Sequence, residues 1–138
     1  MSGEPASERS ADLLRFPSKW PRGCPPEDSL PASGEVFRVV REDPAAAGSF
    51  RTPAESGLLP RADPCLRHSL SVLRTYRDAD HQRRLFRKLG EHVAKATLAP
   101  EHGRAKPTPT ERAPSHTTWW PYPGVVREAL FSMVRGEA

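Results

Sequence analysis

The chain of 138 residues has no apolar run approaching the roughly 20 residues a membrane-spanning helix requires. Its first residues, MSGEPASERSADLL, lack the basic start and apolar middle of a secretory signal, so a cytoplasmic protein without a membrane segment is expected. Cysteine is scarce: Cys24 and Cys65 are the only two, which excludes a disulfide-dense scaffold. One bridge is arithmetically available, but two cysteines in a cytoplasmic chain read as reduced. Metal chemistry has little to stand on. Cys65 and His68 have a C-x2-H spacing, yet a structural zinc needs four placed ligands and no second paired motif accompanies them, so no metal is expected. Also missing are G-x-x-x-x-G-K-[ST], G-x-G-x-x-G and the nucleophile-elbow pattern, and with them the usual phosphate loops and serine hydrolases.

Proline is abundant, with 16 residues beside 9 glycines, and implies many loops and short elements. The hydrophobic fraction of 36% and charged fraction of 28% are ordinary for a folded domain. The formal charge of +4 is unevenly placed: residues 76–112 carry nine basic and five acidic side chains, and the other segments nearly balance. A local cationic face attracts acidic partners.

Residues 1–14 read as a disordered tail. Residues 15–34, with prolines that forbid helix, read as an extended arm anchored on the domain by Trp20. Residues 35–138 read as a single domain. GEVFRVVRE is a strand, with Phe37 and Val39 on one face and Val36, Arg38 and Val40 on the other. Arg38 is thus a charge on an otherwise apolar face. A short helix is expected around Pro53 to Ser56, closed by Gly57. HSLSVLRTY is a second strand. Thr75 and Asp78 have the spacing of a helix start, and Ala79, Leu85, Phe86 and Leu89 mark the apolar side of a basic helix over about 75–89 that ends at Gly90. EHVAKATLAP is a third strand, with His92, Ala94, Ala96 and Leu98 on one face. RAKPTPTERAP reads as a polar loop. SHTTWW is a further strand in which His116, Thr118 and Trp120 share one face and Thr117 and Trp119 the other, so at least one indole enters the core. Residues 125–134 fit a short turn and a last strand. The order implies an α+β fold: a small, mostly antiparallel sheet with one main basic helix.

Ser71 with His68 or His116, and Glu35 or Glu91, has the residue types of a catalytic triad, without a supporting motif. Arg77, Arg83, Arg84, Arg87 and Lys88 suit phosphate or carboxylate contacts, and Trp119, Trp120 and Tyr122 have the rings that stack unpaired bases. No nucleic-acid recognition module accompanies them.

VFRVVREDP, HSLSVLRTYRDA and HTTWWP together resemble a family of short uncharacterised bacterial proteins with F-R-x-V, H-x-L-S-V and H-T-x-W motifs, over about Phe16 to Val134. That resemblance implies a fold and, from the look of the family, a role in bacterial conflict or defence. More distantly the layout is similar to ADP-ribosyltransferase-like folds, which set an Arg or His on an early strand, a Ser or Thr on a middle strand and often an acid on a late strand around NAD. Arg38 and Ser71 match the first two positions; the third falls at His116 or Thr117 in place of the acid.

Two functions follow as expectations. The leading one is a non-enzymatic accessory or interaction domain, without cofactor, that holds an acidic protein or nucleic acid through Arg77, Arg83, Arg84, Arg87 and Lys88. The other is a small NAD- or nucleotide-handling enzyme in which Arg38 grips phosphate, Ser71 positions ribose and His68 or His116 moves a proton. A cavity lined jointly by Arg38, Ser71 and His116 distinguishes the second from the first.

Overall fold

β-Branched and aromatic residues alternating with smaller ones make strands, and seven of them pair into one antiparallel sheet in a computed structural model that describes residues 15–135. They are β1 (Leu30–Pro31), β2 (Gly34–Val40), β3 (Leu70–Leu73), β4 (His92–Leu98), β5 (Gly103–Pro107), β6 (His116–Pro121) and β7 (Ser132–Met133), in the order β1-β5-β6-β3-β2-β4-β7. With helices α1 (Pro53–Ser56), α2 (Tyr76–Leu85) and α3 (Arg127–Leu130), the fold is α+β. The expected tail over residues 1–14 lies outside the described residues. No described helix is long and apolar enough to cross a membrane.

The two faces of the sheet bury separate clusters. Val36, Val40, Leu70, Val72, Ala94, Ala96, Leu98 and Trp119 pack against Phe50 and Phe131. On the other side Phe37, Leu73 and Val93 meet Ala79 of α2 and Ala113. The tryptophans divide as strand alternation requires. Trp119 is fully buried among the first cluster, and its indole N–H donates to the His102 carbonyl at 3.0 Å. Trp120 is sealed by the segment around Cys65, whose carbonyl accepts its N–H at 3.0 Å.

α1 begins with a capping box between Thr52 and Glu55 and ends at Gly57 in the left-handed region. At α2 the Thr75 hydroxyl accepts from the Asp78 N–H at 3.1 Å. The Asp78 carboxylate turns to the Ser115 N–H and hydroxyl (2.8 and 2.6 Å) and so does not complete a box. The helix also stops sooner than its pattern implies. Phe86 leaves helical geometry at φ −124° and ψ 75°, and Arg87–Leu89 form a 3-10 turn. Ala79 is the one buried residue of α2, and the expected apolar side is open: Leu85 is 44% exposed, Phe86 42% and Leu89 46%.

Three further expectations are corrected. Residues 104–107, the start of the stretch read as a polar loop, belong to strand β5, because β6 offers a full ladder from Gly103 opposite Pro121 to Pro107 opposite Thr117. Gly103 has φ +126°, and a side chain there would run into the Trp120 carbonyl, so the close approach of β5 to β6 requires glycine. The arm is a run of turns rather than extended chain, closed by N–H to carbonyl bonds from Trp20 to Pro17, Cys24 to Pro21 and Ser29 to Pro26. Its end is sewn to β5 by Arg104, which donates from Nε to the Ser29 hydroxyl at 3.0 Å, and by a 2.8 Å ion pair of Lys106 with Asp28. Finally, Cys24 and Cys65 are joined in a disulfide. Sequence distance hid their proximity, which the packing of the arm on the Cys65 segment creates. Such bonds persist in oxidising surroundings, a condition the cytoplasmic expectation does not supply.

Trp20 anchors the arm as expected. Its ring stacks on His68 at 4.4 Å between centroids and on Phe16 at 5.2 Å, and Phe16 leans on Tyr122. Burial lowers the His68 pKa below its ordinary value, and Arg67 adds to the effect. The unfolded chain therefore takes up the proton first as pH falls. Stability is full above about pH 6.5 and declines as pH drops below it. Melting curves at neutral and mildly acidic pH are expected to show this decline, and His68→Phe to reduce it; an unchanged pH dependence in the variant would remove His68 from the account.

Candidate functional site

Arg38 marks the place where the sheet opens. β2 pairs with β4 over seven residues, from Gly34 opposite Leu98 to Val40 opposite His92. With β3 on its other side it shares a single pair, Phe37 opposite Leu73. Beyond that pair the strands part, and the Arg38 side chain bridges them. Nη1 donates to the Ser71 carbonyl at 2.7 Å and Nε to the Ser49 carbonyl at 2.9 Å, while Cζ lies 5.8 Å from the centroid of the Phe50 ring. Nη2 has no partner among the described residues. No buried side-chain nitrogen or oxygen there lacks one, so Nη2 is the part of the guanidinium left open.

The parting forms a cavity of about 480 Å³, within the usual range for small-molecule sites. Arg38, Ser71 and His116 all line it. Sequence reasoning did not find two other walls, Arg41 from the end of β2 and Arg51 from the turn before α1. Three arginines face the cavity, and among the described residues no carboxylate does. Val39, Leu58, Leu73 and Leu89 supply its apolar surface. Burial, with the positive charge of Arg127 adding to it, pulls the Arg38 pKa down to about 10. Among the described residues no carboxylate bonds to it, and an anion entering the cavity would relieve the cost of holding its charge.

The wall carrying Arg51 is fixed from behind. Arg127 donates to both Glu55 carboxylate oxygens (2.7 and 3.0 Å) and to the Phe50 carbonyl at 2.6 Å, tying α3 to α1 and to the turn at Ala47–Phe50. Burial alone would raise the Glu55 pKa; the bonds from Arg127 and Thr52 outweigh it and hold the carboxyl below its ordinary value. Ser49 is also fixed: its hydroxyl accepts from the Arg41 N–H at 3.2 Å and donates to Glu42 at 3.0 Å.

His116 enters from β6, on the sheet face that Ser71 shares. Its Nδ1 lies 3.0 Å from the Thr108 carbonyl oxygen, a group that only accepts, which assigns the proton of the neutral ring to Nδ1. The Thr108 hydroxyl sits 2.9 Å from the same nitrogen and 2.8 Å from the Thr118 hydroxyl. Nε2 is then the ring atom with a free lone pair. Among the described residues no carboxylate bonds to His116, so they form no triad there; they form a fixed imidazole beside hydroxyls.

Compared with protein-family models, curated proteins and solved structures, the chain matches none.

The remaining expected site residues lie elsewhere. His68 is stacked on Trp20 and does not line the cavity. Among the basic residues, Arg83 and Arg84 both pair with Asp80, at 2.5 and 2.9 Å. Arg77 is exposed on α2, and Arg87 and Lys88 are exposed on the 3-10 turn. The helix itself carries two aspartates beside three arginines, so the cationic excess sits past its end. Among the described residues no group of three or more His, Cys, Asp or Glu side chains is placed to hold a metal.

Proposed function

We propose that the chain binds a phosphate-bearing small molecule, a nucleotide, in the cavity between β2 and β3. The observation that carries this reading is the set of three arginines lining one cavity with no carboxylate of the described residues beside them. Arginine forks fit phosphate oxygens bidentately, and a partly desolvated site strengthens each bond. The cavity is far larger than one phosphate needs, and its apolar wall suits a base or another ring. Ser71, Thr110 and His116 line the same space and complement ribose hydroxyls. His116 is the group able to accept a proton from such a hydroxyl, which gives the site an acid–base residue if it turns substrate over. The dinucleotide NAD is the member of this ligand class that the resemblance to ADP-ribosyltransferase-like folds implies. The surface reading, an acidic partner held by Arg77, Arg83, Arg84, Arg87 and Lys88, is weakened by the two pairings to Asp80.

Calorimetric titration with AMP, NAD, adenosine and orthophosphate tests the proposal. AMP or NAD is expected to bind, and adenosine without phosphate to bind at least tenfold more weakly. Arg41→Gln and Arg51→Gln, at exposed positions, should each weaken nucleotide binding roughly ten- to hundredfold, the value of a charge-assisted bond. Charge reversal at Arg83, Arg84 and Arg87 should leave it unchanged. Equal affinity for adenosine and AMP, or indifference to both glutamine substitutions, would refute the assignment.

A further inference from the structure

Exposed aliphatic and aromatic side chains belong to two chain segments that contribute to the cavity wall, its two banks. Leu58 and Leu59, 60% and 62% exposed, follow α1 on one bank. Leu85, Phe86 and Leu89, all more than 40% exposed, end α2 and its 3-10 turn on the other. Leu58 and Leu89 line the cavity itself, and so does Gln82, one turn before Leu85 and Phe86. Large apolar side chains gathered around one concavity mark a surface built to be covered. The basic residues supply the sign of the cover. Arg87 and Lys88 are exposed between the apolar residues of the second bank, and Arg38, Arg41 and Arg51 form a cationic floor that no carboxylate among the described residues lines.

We infer that a protein partner seats an acidic, apolar segment over this mouth, its Leu- or Phe-type side chains on the two banks and its carboxylates toward the arginines, and so blocks the cavity. The exposed apolar side chains beside the arginines favour a peptide segment over other polyanions. Phe86 is the one aromatic ring among those side chains, so a run of unpaired bases finds no stacking platform there, and aliphatic side chains leave base edges unread. A membrane surface would need a convex apolar tip, whereas these side chains border a hollow. The inference rests on the nucleotide reading of the cavity for its regulatory sense, because a seated partner and a bound nucleotide exclude each other.

A random 16-residue peptide library displayed on phage, selected against the full chain, tests it. Enriched peptides are expected to combine Asp or Glu with Leu, Phe or Met, and a synthetic copy of the strongest should be displaced by AMP. The surface variant L85S/F86S, at two positions that do not line the cavity and checked for an unchanged circular dichroism spectrum and melting curve, should bind that peptide at least tenfold more weakly while binding AMP as before. Enrichment of peptides without acids, absence of competition with AMP, or equal binding by the variant would overturn the inference. Preferential binding of phosphatidylserine vesicles or of oligothymidylate, lost in the same variant, would also overturn it in favour of those partners. If an acidic, apolar peptide is selected and lost in the variant but AMP does not bind the protein at all, the cavity assignment falls and the regulatory sense of the inference falls with it. If AMP binds and no acidic, apolar peptide is selected, only the inference falls.

Discussion

Trp119→Ala is expected to lower the unfolding free energy by about 3–5 kcal/mol, among the largest effects of any single substitution in this chain. The indole is fully buried, touches Phe131 at 6.1 Å between ring centroids, and lies within the cluster that joins β2, β3, β4 and β6. Truncation leaves a cavity that neighbours on fixed strands cannot collapse to fill, and it strips the His102 carbonyl of its donor. Trp119→Phe restores much of the volume without the N–H and should fall between the two. Urea unfolding followed by circular dichroism gives both numbers. A loss under 1 kcal/mol for the alanine variant would mean that the indole is not in the core.

Reducing the Cys24–Cys65 bond is the second large effect. The bond spans 41 residues of sequence, and on the chain-entropy account a loop of that size stabilises the folded state by about 4 kcal/mol. For a chain this long that corresponds to a melting-point drop on the order of 10 °C or more. The drop should appear on adding a strong reductant, and equally in a Cys24→Ser/Cys65→Ser variant that no longer responds to reductant. The Cys65 segment also carries the carbonyl that holds Trp120 and adjoins His68, on which Trp20 stacks, so the arm should loosen first. Alkylation of the denatured, unreduced protein is expected to label neither cysteine. Labelling of both, with melting indifferent to reductant, would contradict the pairing.

What could be read in the residues, and what could not, follows from the range over which each feature is decided. Alternation along Val36 to Val40, Leu70 to Leu73, His92 to Leu98 and His116 to Trp120 is local, and those strands appear where the pattern places them. The caps at Thr75 and Gly57 are also local and hold. β5 was not legible, because Arg104, Lys106 and Pro107 carry no strand preference of their own; the partner β6 makes them a strand. Phe86 and Leu89 have helical spacing, yet the helix breaks at Phe86 and nothing covers them within the described residues, so spacing and burial part company. The disulfide depends on tertiary proximity that composition cannot see. Within the site, Arg38 stood out as a charge on an apolar face, and its company with Ser71 and His116 in one cavity was a stated criterion. Arg41 and Arg51 lie outside the regular elements on one flank and carry no pattern; only the folded chain gathers them beside Arg38. His68 stood close to Ser71 in sequence and has gone to the arm.

The most direct test of the cavity assignment is a titration of isotopically labelled protein with AMP, followed by nuclear magnetic resonance of the arginine side chains, the backbone amides and the histidine rings. The account predicts saturable shifts at Arg38, Arg41, Arg51, Ser71 and His116 and quiet signals at Arg77, Arg84, Arg87 and Lys88. Shifts confined to that second group, or none at any residue of the cavity, would contradict it.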